Sequence, residues 1–374
     1  MTQKRRPAPD QTAWWIFRGT GAENPDETLS EEVQSKLRPE HGPPWRRFDK
    51  ASKCRRGAGF QVETHEKARL NAALVLRRPL LITGPPGTGK TSLTYAIAQE
   101  LGLGPVLRWS ITSRTTLCDG LYQYDAIGRL QDTPRFPGLL QETTGGEAVP
   151  PEMVRTEPAA PAIEKYLKLG PLGTAFAGFQ DDVRRPYPRV LLIDEIDKSD
   201  IDLPNDLLHI FEEGYFEIPE LKRHTDRRHR IDTADGLGRV EIVDGRVECA
   251  TFPFVVMTSN AEREFPPAFL RRCIQLEMRR PDEGKLRRIV ESKLRDEDPD
   301  AYERHKKEID QVIRAFVEHG KNKDLATDQL LHAVLLVMND IDPFEGVRPL
   351  DQARDKDSLI EALWRSLRAD QAAG

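Results

Sequence analysis

The run Gly84-Pro85-Pro86-Gly87-Thr88-Gly89-Lys90-Thr91 is the densest chemical signal in the chain, matching G-x-x-x-x-G-K-[ST]. Its glycines let backbone N–H groups wrap a phosphate, and a helix starting at the lysine adds the positive end of its dipole. Lys90 brings a full charge to the β and γ phosphates, and Thr91 offers a hydroxyl to Mg2+. A second acidic signal follows about a hundred residues later in Val190-Leu-Leu-Ile-Asp194-Glu195-Ile-Asp197. Four apolar residues ending in two carboxylates read as a buried strand that delivers Asp194 to a metal and Glu195 to an attacking water. Phe254-Val-Val-Met-Thr-Ser259-Asn260 is a third such strand, and the Asn260 amide at its end can bond both a γ-phosphate and the water. Arg271 and Arg272, in FPPAFLRRC, supply guanidinium groups suited to the charge that develops during phosphoryl transfer. Each of these has a plainer reading: a glycine turn, a solvated glutamate, a turn-forming asparagine, a salt-bridged arginine pair. Their order along one chain favours the chemical one.

Elements that could position these residues alternate between strand and helix, the signature of a mainly parallel sheet covered by helices. THEKARLNAALVL from Thr64 reads as a helix and RRPLLITG as a short buried strand ending in a glycine turn. Ser92 to Leu101 is helical in character, PVLRWSIT is a strand, LPNDLLHIFEEG is a helix and CIQLEM from Cys273 is a closing strand. Two segments break the rhythm. Nine prolines fall between Pro134 and Pro188, which marks an insertion over about 119–186. A second insertion covers about 221–250, where Asp244-Gly245 between alternating residues is a hairpin signal. Both are expected to project from the sheet as loops or ribbons.

The termini differ from this core. Residues 1–58 are polar, carry six prolines and hold the aromatic clusters Trp14-Trp15 and Trp45, expected to pack on a neighbouring domain or to dock a partner. From Pro281 the last 94 residues read as helices, with Ile309, Val312, Ile313, Phe316 and Val317 on one face. The predicted organisation is an arm over 1–58, a core over 59–280 and a helical lid over 281–374.

Composition bounds the partners. The 374 residues carry 56 Lys and Arg against 61 Asp and Glu, a net charge of −5, which excludes a surface devoted wholly to nucleic acid or anionic lipid. The cysteines, Cys54, Cys118, Cys249 and Cys273, have no zinc-like spacing and suit a reducing compartment. No apolar run approaches the roughly 20 residues a membrane helix needs, so a soluble, cytoplasmic protein is expected. The exception to the charge balance is Lys222 to Arg230, locally about +4, which reads as a solvated run, a dock for an acidic partner or a nucleic-acid contact.

The order GPPGTGKT, LLIDEID, a strand ending in TSN, a paired arginine and a helical tail resembles the AAA+ ATPases over about residues 59–340. Within them it is similar to the MoxR branch, related to the dynein-type modules. LYQYDAIGRLQ followed by KLGPLGTAF resembles that branch's ribbon inserted in its second helix, and LLHIFEEGYFEI its helix after the acidic strand. The resemblance implies a P-loop NTPase α/β fold with inserted ribbons and a small C-terminal helical lid, binding ATP with Mg2+. It implies Asn260 as the sensor of the γ-phosphate and Arg272 as the arginine finger, with Arg271 as neighbour or substitute. Because such a finger acts on an adjacent subunit's nucleotide, it implies a homo-oligomeric ring, usually a hexamer. Relatives of the branch work with a von Willebrand A domain protein, and some belong to bacterial conflict systems against phage. The chain departs from the family at the third lid helix, where Thr327, Asp328 and Gln329 stand in place of the usual arginine, and in the proline-rich stretch at about 135–168. Asp125-Ala-Ile-Gly128 matches the D-x-x-G of GTPases only weakly, and Asn322-Lys-Asp324 lacks their guanine-reading spacing. Three functions stay open: a ring that remodels or switches a partner protein, a nucleic-acid-stimulated motor or loader, and an ATP-binding scaffold with little turnover.

Overall fold

A computed structural model describes residues 16, 42–47, 57, 59–132, 162–178, 188–249, 251–321, 324–344 and 359–364. Trp14-Trp15, Cys54 and most of the proline-rich stretch lie outside them. The chain divides into two compact units, one made of 1–69, 82–102 and 276–374 and the other of 70–81 and 103–275.

In chain order the first elements are α1 (Thr64–Leu76), β1 (Leu80–Thr83), α2 (Lys90–Glu100), β2 (Leu107–Ser110), α3 (Leu117–Leu121), β3 (Tyr122–Tyr124) and α4 (Ala126–Asp132). They are followed by β4 (Leu167–Leu169), α5 (Pro171–Ala177), β5 (Val190–Asp194), α6 (Leu203–Glu213), β6 (Tyr215–Glu217), α7 (Pro219–Lys222), β7 (Arg228–Asp232), β8 (Arg239–Val243) and β9 (Arg246–Glu248). The central sheet closes with β10 (Phe254–Ser259), α8 (Pro267–Arg272) and β11 (Ile274–Glu277), in the order β11-β1-β10-β5-β2. β5 runs parallel to both β10 and β2, with Ile193 opposite Met257 and Asp194 opposite Ser110. All five residues of β5 and all six of β10 are buried, which explains why neither shows the polar alternation of a one-sided strand. Parallel strands all present their carboxyl ends at one edge, and there the chain carries Asp194 and Asn260. The fold is the α/β architecture of P-loop NTPases.

The insertions do not project as separate ribbons. Together with β6 they build a second sheet of six strands, β3-β4-β7-β8-β9-β6. The reason lies in their alternation. Ile231 on β7, Val240 and Ile242 on β8 and Val247 on β9 all point inward and join the same core as Leu191, Ile193 and Met257. Each such side chain gains about 1.5–3 kcal/mol from burial, so folding the ribbon back is favoured over leaving it in water. The turn between β8 and β9 is the expected two-residue one, with Asp244 at φ 52° and Gly245 at φ 66°.

In the other unit the helices α9 (Glu283–Val290), α10 (Pro299–Arg304), α11 (Lys306–Gly320), α12 (Thr327–Met338) and α13 (Leu359–Leu363) enclose a core of their own, with a π turn at Glu291–Arg295. Ile309, Val312, Ile313 and Phe316 face it, as their spacing predicts. Trp45 also packs on this core and donates its indole N–H to His332 Nε2 at 3.0 Å, so this aromatic of the N-terminal stretch is a packing residue.

Candidate functional site

The phosphate loop links β1 to α2 and depends on glycine. Gly87 sits at φ 74° and Gly89, the residue capping α2, at φ 91°, values that cost an L side chain about 1–2 kcal/mol each. Space closes the same positions: a Cβ on Gly87 would lie 2.3 Å from the Cβ of Ala326, and one on Gly89 2.7 Å from the Phe60 ring. Lys90 is 8% exposed, and its ammonium donates to the Gly84 carbonyl at 2.7 Å and the Pro85 carbonyl at 2.9 Å. Thr88 closes the loop with a bond from its hydroxyl to the Pro85 carbonyl at 2.9 Å. Thr91 follows on the first turn of α2.

The strand ends of the other unit hold the acidic group. Asp194 is 5% exposed, and its carboxylate accepts from the Thr258 hydroxyl at 2.7 Å and from Arg108 at 2.6 Å. Glu195 takes left-handed backbone angles, φ 62° and ψ 49°, which turn the chain sharply off β5. Its side chain is half exposed and paired with Lys198 at 2.8 Å, and that carboxylate pushes the Lys198 ammonium pKa up. Asp197 is buried and accepts two backbone bonds, from Asn260 at 2.9 Å and Glu262 at 3.1 Å, so it fixes the loop that presents Asn260. A cleft of about 490 Å³ opens beside this group, lined by Thr112, Glu195, Asp197, Lys198, Glu262 and Arg263.

The two arginines differ. Arg272 is bound to Glu212 on α6, whereas Arg271 is exposed and forms no ion pair among the described residues. Gln329 proves structural. Its side-chain carbonyl caps α12 by accepting from Ala326 N–H at 2.8 Å, and its amide donates to the Leu363 carbonyl at 2.9 Å. What approaches the phosphate loop at the start of α12 is the Ala326 methyl and backbone, with the Thr327 N–H, beside Gly87. Phe60, Ala326, Thr258, Arg108, Asp197 and Lys198 were not foreseen as part of the site. For Asp197 the signal is present in the sequence, as a third carboxylate after Asp194 and Glu195 in the same run.

The basic run is largely answered by carboxylates. Lys222 pairs with Glu217, Arg227 with Asp244 and Arg228 with Glu241, while buried His229 binds Glu164 at 2.7 Å and the Asp226 carbonyl at 2.8 Å. Burial works to raise the Glu164 carboxyl, but its hydrogen bonds, including that from His229, outweigh this and hold it below the usual range. Burial pushes the Cys273 thiol up to about 12 and Cys249 up to about 11, away from the thiolate form. Among the described residues no helix is long and apolar enough to cross a membrane.

The solved structures similar to this chain include a protein assigned as an ATPase from Cytophaga hutchinsonii, at 12% identity and TM-score 0.36, over 70% of this chain and 59% of that one. NtrX from Brucella abortus in complex with ADP is similar at 14% identity and TM-score 0.31, over 82% of this chain and 54% of that one. A complex between subunits BchI and BchD of magnesium chelatase is similar at 15% identity and TM-score 0.33, over 72% and 73%. The chain thus spans little more than half the length of the first two. Residues 80–213, from β1 through the phosphate loop and the acidic strand to the end of α6, match the family model for the ATPase family associated with various cellular activities. Over that span, about a third of the chain, the match is to an AAA ATPase domain.

Proposed function

We propose that this chain works as a homo-oligomeric ring, hexameric by its resemblance to the MoxR branch, whose ATP hydrolysis remodels or switches a partner protein. The observation that carries the ATPase half of this reading is the phosphate loop: glycine-only backbone at Gly87 and Gly89, with the buried Lys90 at the start of an eleven-residue helix. Gly84 to Gly89 wrap the phosphates with backbone N–H groups, and Lys90 moves from its own loop carbonyls to the β and γ oxygens. The Thr91 hydroxyl and the Asp194 carboxylate are hard oxygen donors of the kind Mg2+ takes, and Asp194 is already oriented by two donors. A bound Mg2+ would offset charge on the transferring phosphoryl group.

Glu195 accepts the proton of the attacking water, and release from Lys198 frees its carboxylate for that step. Asn260 holds the water and the γ-phosphate through its amide. Arg271 and Arg272 of an adjacent copy stabilise the charge that develops, and Arg271, which forms no ion pair among the described residues, is the readier of the two. The client is a separate protein, and one bearing a von Willebrand A domain is the class the resemblance points to, with a conflict system as the setting. Pairing of the basic run with Glu217, Asp244, Glu241 and Glu164 supports a protein client over nucleic acid.

Steady-state turnover of Glu195→Gln tests the assignment. ATP binding stays within about twofold of wild type while turnover falls at least about 100-fold, the scale of a lost general base. Unchanged turnover removes Glu195 from the mechanism.

A further inference from the structure

We propose that Thr258 is the positioning residue of the acidic group, a single buried hydroxyl that sets the Asp194 carboxylate and the Glu195 backbone together. The inference rests on the roles given above to Asp194 and Glu195. Thr258 lies on β10 at 1% exposure, and its Oγ1 donates to Asp194 Oδ1 at 2.7 Å while accepting from the Glu195 N–H at 2.9 Å. The direction of both bonds is forced. An ionised carboxylate can only accept and a backbone N–H can only donate, so the one hydroxyl proton goes to Asp194 and a lone pair to Glu195. The bond to the carboxylate is charge-assisted, and at this depth water cannot replace it.

Two consequences follow from that pair of bonds. The first is rotational: with Oδ1 held by Thr258, the remaining oxygen of Asp194 has one direction, where it meets the half-exposed guanidinium of Arg108 at 2.6 Å. The Thr258 end is buried, and the half-exposed Arg108 end is the one that a metal ion would take over. The second is conformational: the left-handed turn at Glu195 places the next carboxylate off the sheet edge, and the N–H bonded to Thr258 belongs to that same residue. Neighbouring polar groups are committed elsewhere. The Ser259 hydroxyl accepts from Ala261 N–H at 2.9 Å, and the Asn260 N–H goes to Asp197. Among the described residues of β10, Thr258 is the one whose side chain reaches both acidic residues.

The test compares Thr258→Val, which replaces the hydroxyl by a methyl at equal size, with Thr258→Ser, which keeps it. In the full chain, ATP turnover is measured as a function of ATP and of Mg2+. Binding of N-methylanthraniloyl-ATP is measured separately in EDTA and in Mg2+. Thr258→Val lowers kcat about 10- to 100-fold, the usual cost of losing a group that orients a ligand, with KM for ATP within about twofold. It also raises the Mg2+ needed for half-maximal binding of the fluorescent nucleotide and leaves binding in EDTA unchanged. Thr258→Ser recovers most of both. The inference is overturned if Thr258→Val keeps wild-type kcat and Mg2+ dependence. It is also overturned if the serine and valine variants lose equally, or if binding in EDTA falls in step with turnover, since that is a packing defect. Asp194→Asn and Glu195→Gln run alongside. If those two turn over normally, the roles of Asp194 and Glu195 fail and this inference with them; if they are inactive and Thr258→Val is not, this inference alone fails.

Discussion

Glycine at position 87 carries two constraints that are independent of each other. Its φ of 74° belongs to a region that side chains avoid, and the space where a Cβ would stand is taken by Ala326. Gly87→Ala therefore has to displace either the loop or the start of α12, and nucleotide affinity is expected to fall at least about tenfold, equivalent to about 1.4 kcal/mol. Isothermal titration with ATP checks this, and wild-type affinity would show that the loop adapts. Residue types at this scale were legible from spacing alone: G-x-x-x-x-G-K-T, the Asp-Glu pair, the asparagine after a buried strand. What was hidden is how those groups are held. Thr258 is one hydroxyl in an apolar strand, and nothing in its neighbours along the chain shows that it lies against residues 64 positions away. Gln329 was hidden in the opposite sense, since a polar residue where an arginine is expected turns out to cap its own helix.

At the scale of elements, α1 and α9 are joined by an ion cluster that the sequence did not reveal. Lys285, at 8% side-chain exposure, reaches Glu63 at 2.9 Å and Glu66 at 3.5 Å, and Glu66 also accepts from the Glu63 N–H at 2.7 Å. Lys285→Met leaves the buried Glu66 carboxylate short of a partner and is expected to cost about 3 kcal/mol, read from the urea midpoint of the unit that contains it. The pH dependence has a definite sign. The Lys285 hydrogen bond lowers the Glu63 carboxyl below its ordinary 4.5, so its contribution is complete above that value and is lost as pH falls through the lowered one. The gap between wild type and Lys285→Met should thus narrow on acidification below about pH 4.5; a gap that widens there contradicts the pairing. Helices and buried strands were legible because their periods and apolar runs are local. The second sheet was not, because its pairings, β4 with β7 and β6 with β9, join residues far apart along the chain. Alternation showed that each ribbon had an apolar face, but only the three-dimensional arrangement shows that face meeting the main core.

Across the whole molecule, charge is distributed by pairing more than by sign. A chain at −5 with one run near +4 suggested a partner surface, and Glu217, Asp244 and Glu241 pair with Lys222, Arg227 and Arg228 of that run. Cations left over matter more, and Arg271 stands out beside an arginine already tied to Glu212. In the proposed ring, one copy's arginines complete the site of the next. This is tested most directly by mixing two variants expected to be inactive, Lys90→Ala, which should fail to hold the phosphates, and the double variant Arg271→Ala/Arg272→Ala, which should fail to complete its neighbour. Mixed assemblies contain sites with a wild-type loop facing wild-type arginines, so ATPase activity should reappear and peak near equal proportions. An absence of activity at every ratio, with mixed oligomers demonstrably formed, would contradict the claim.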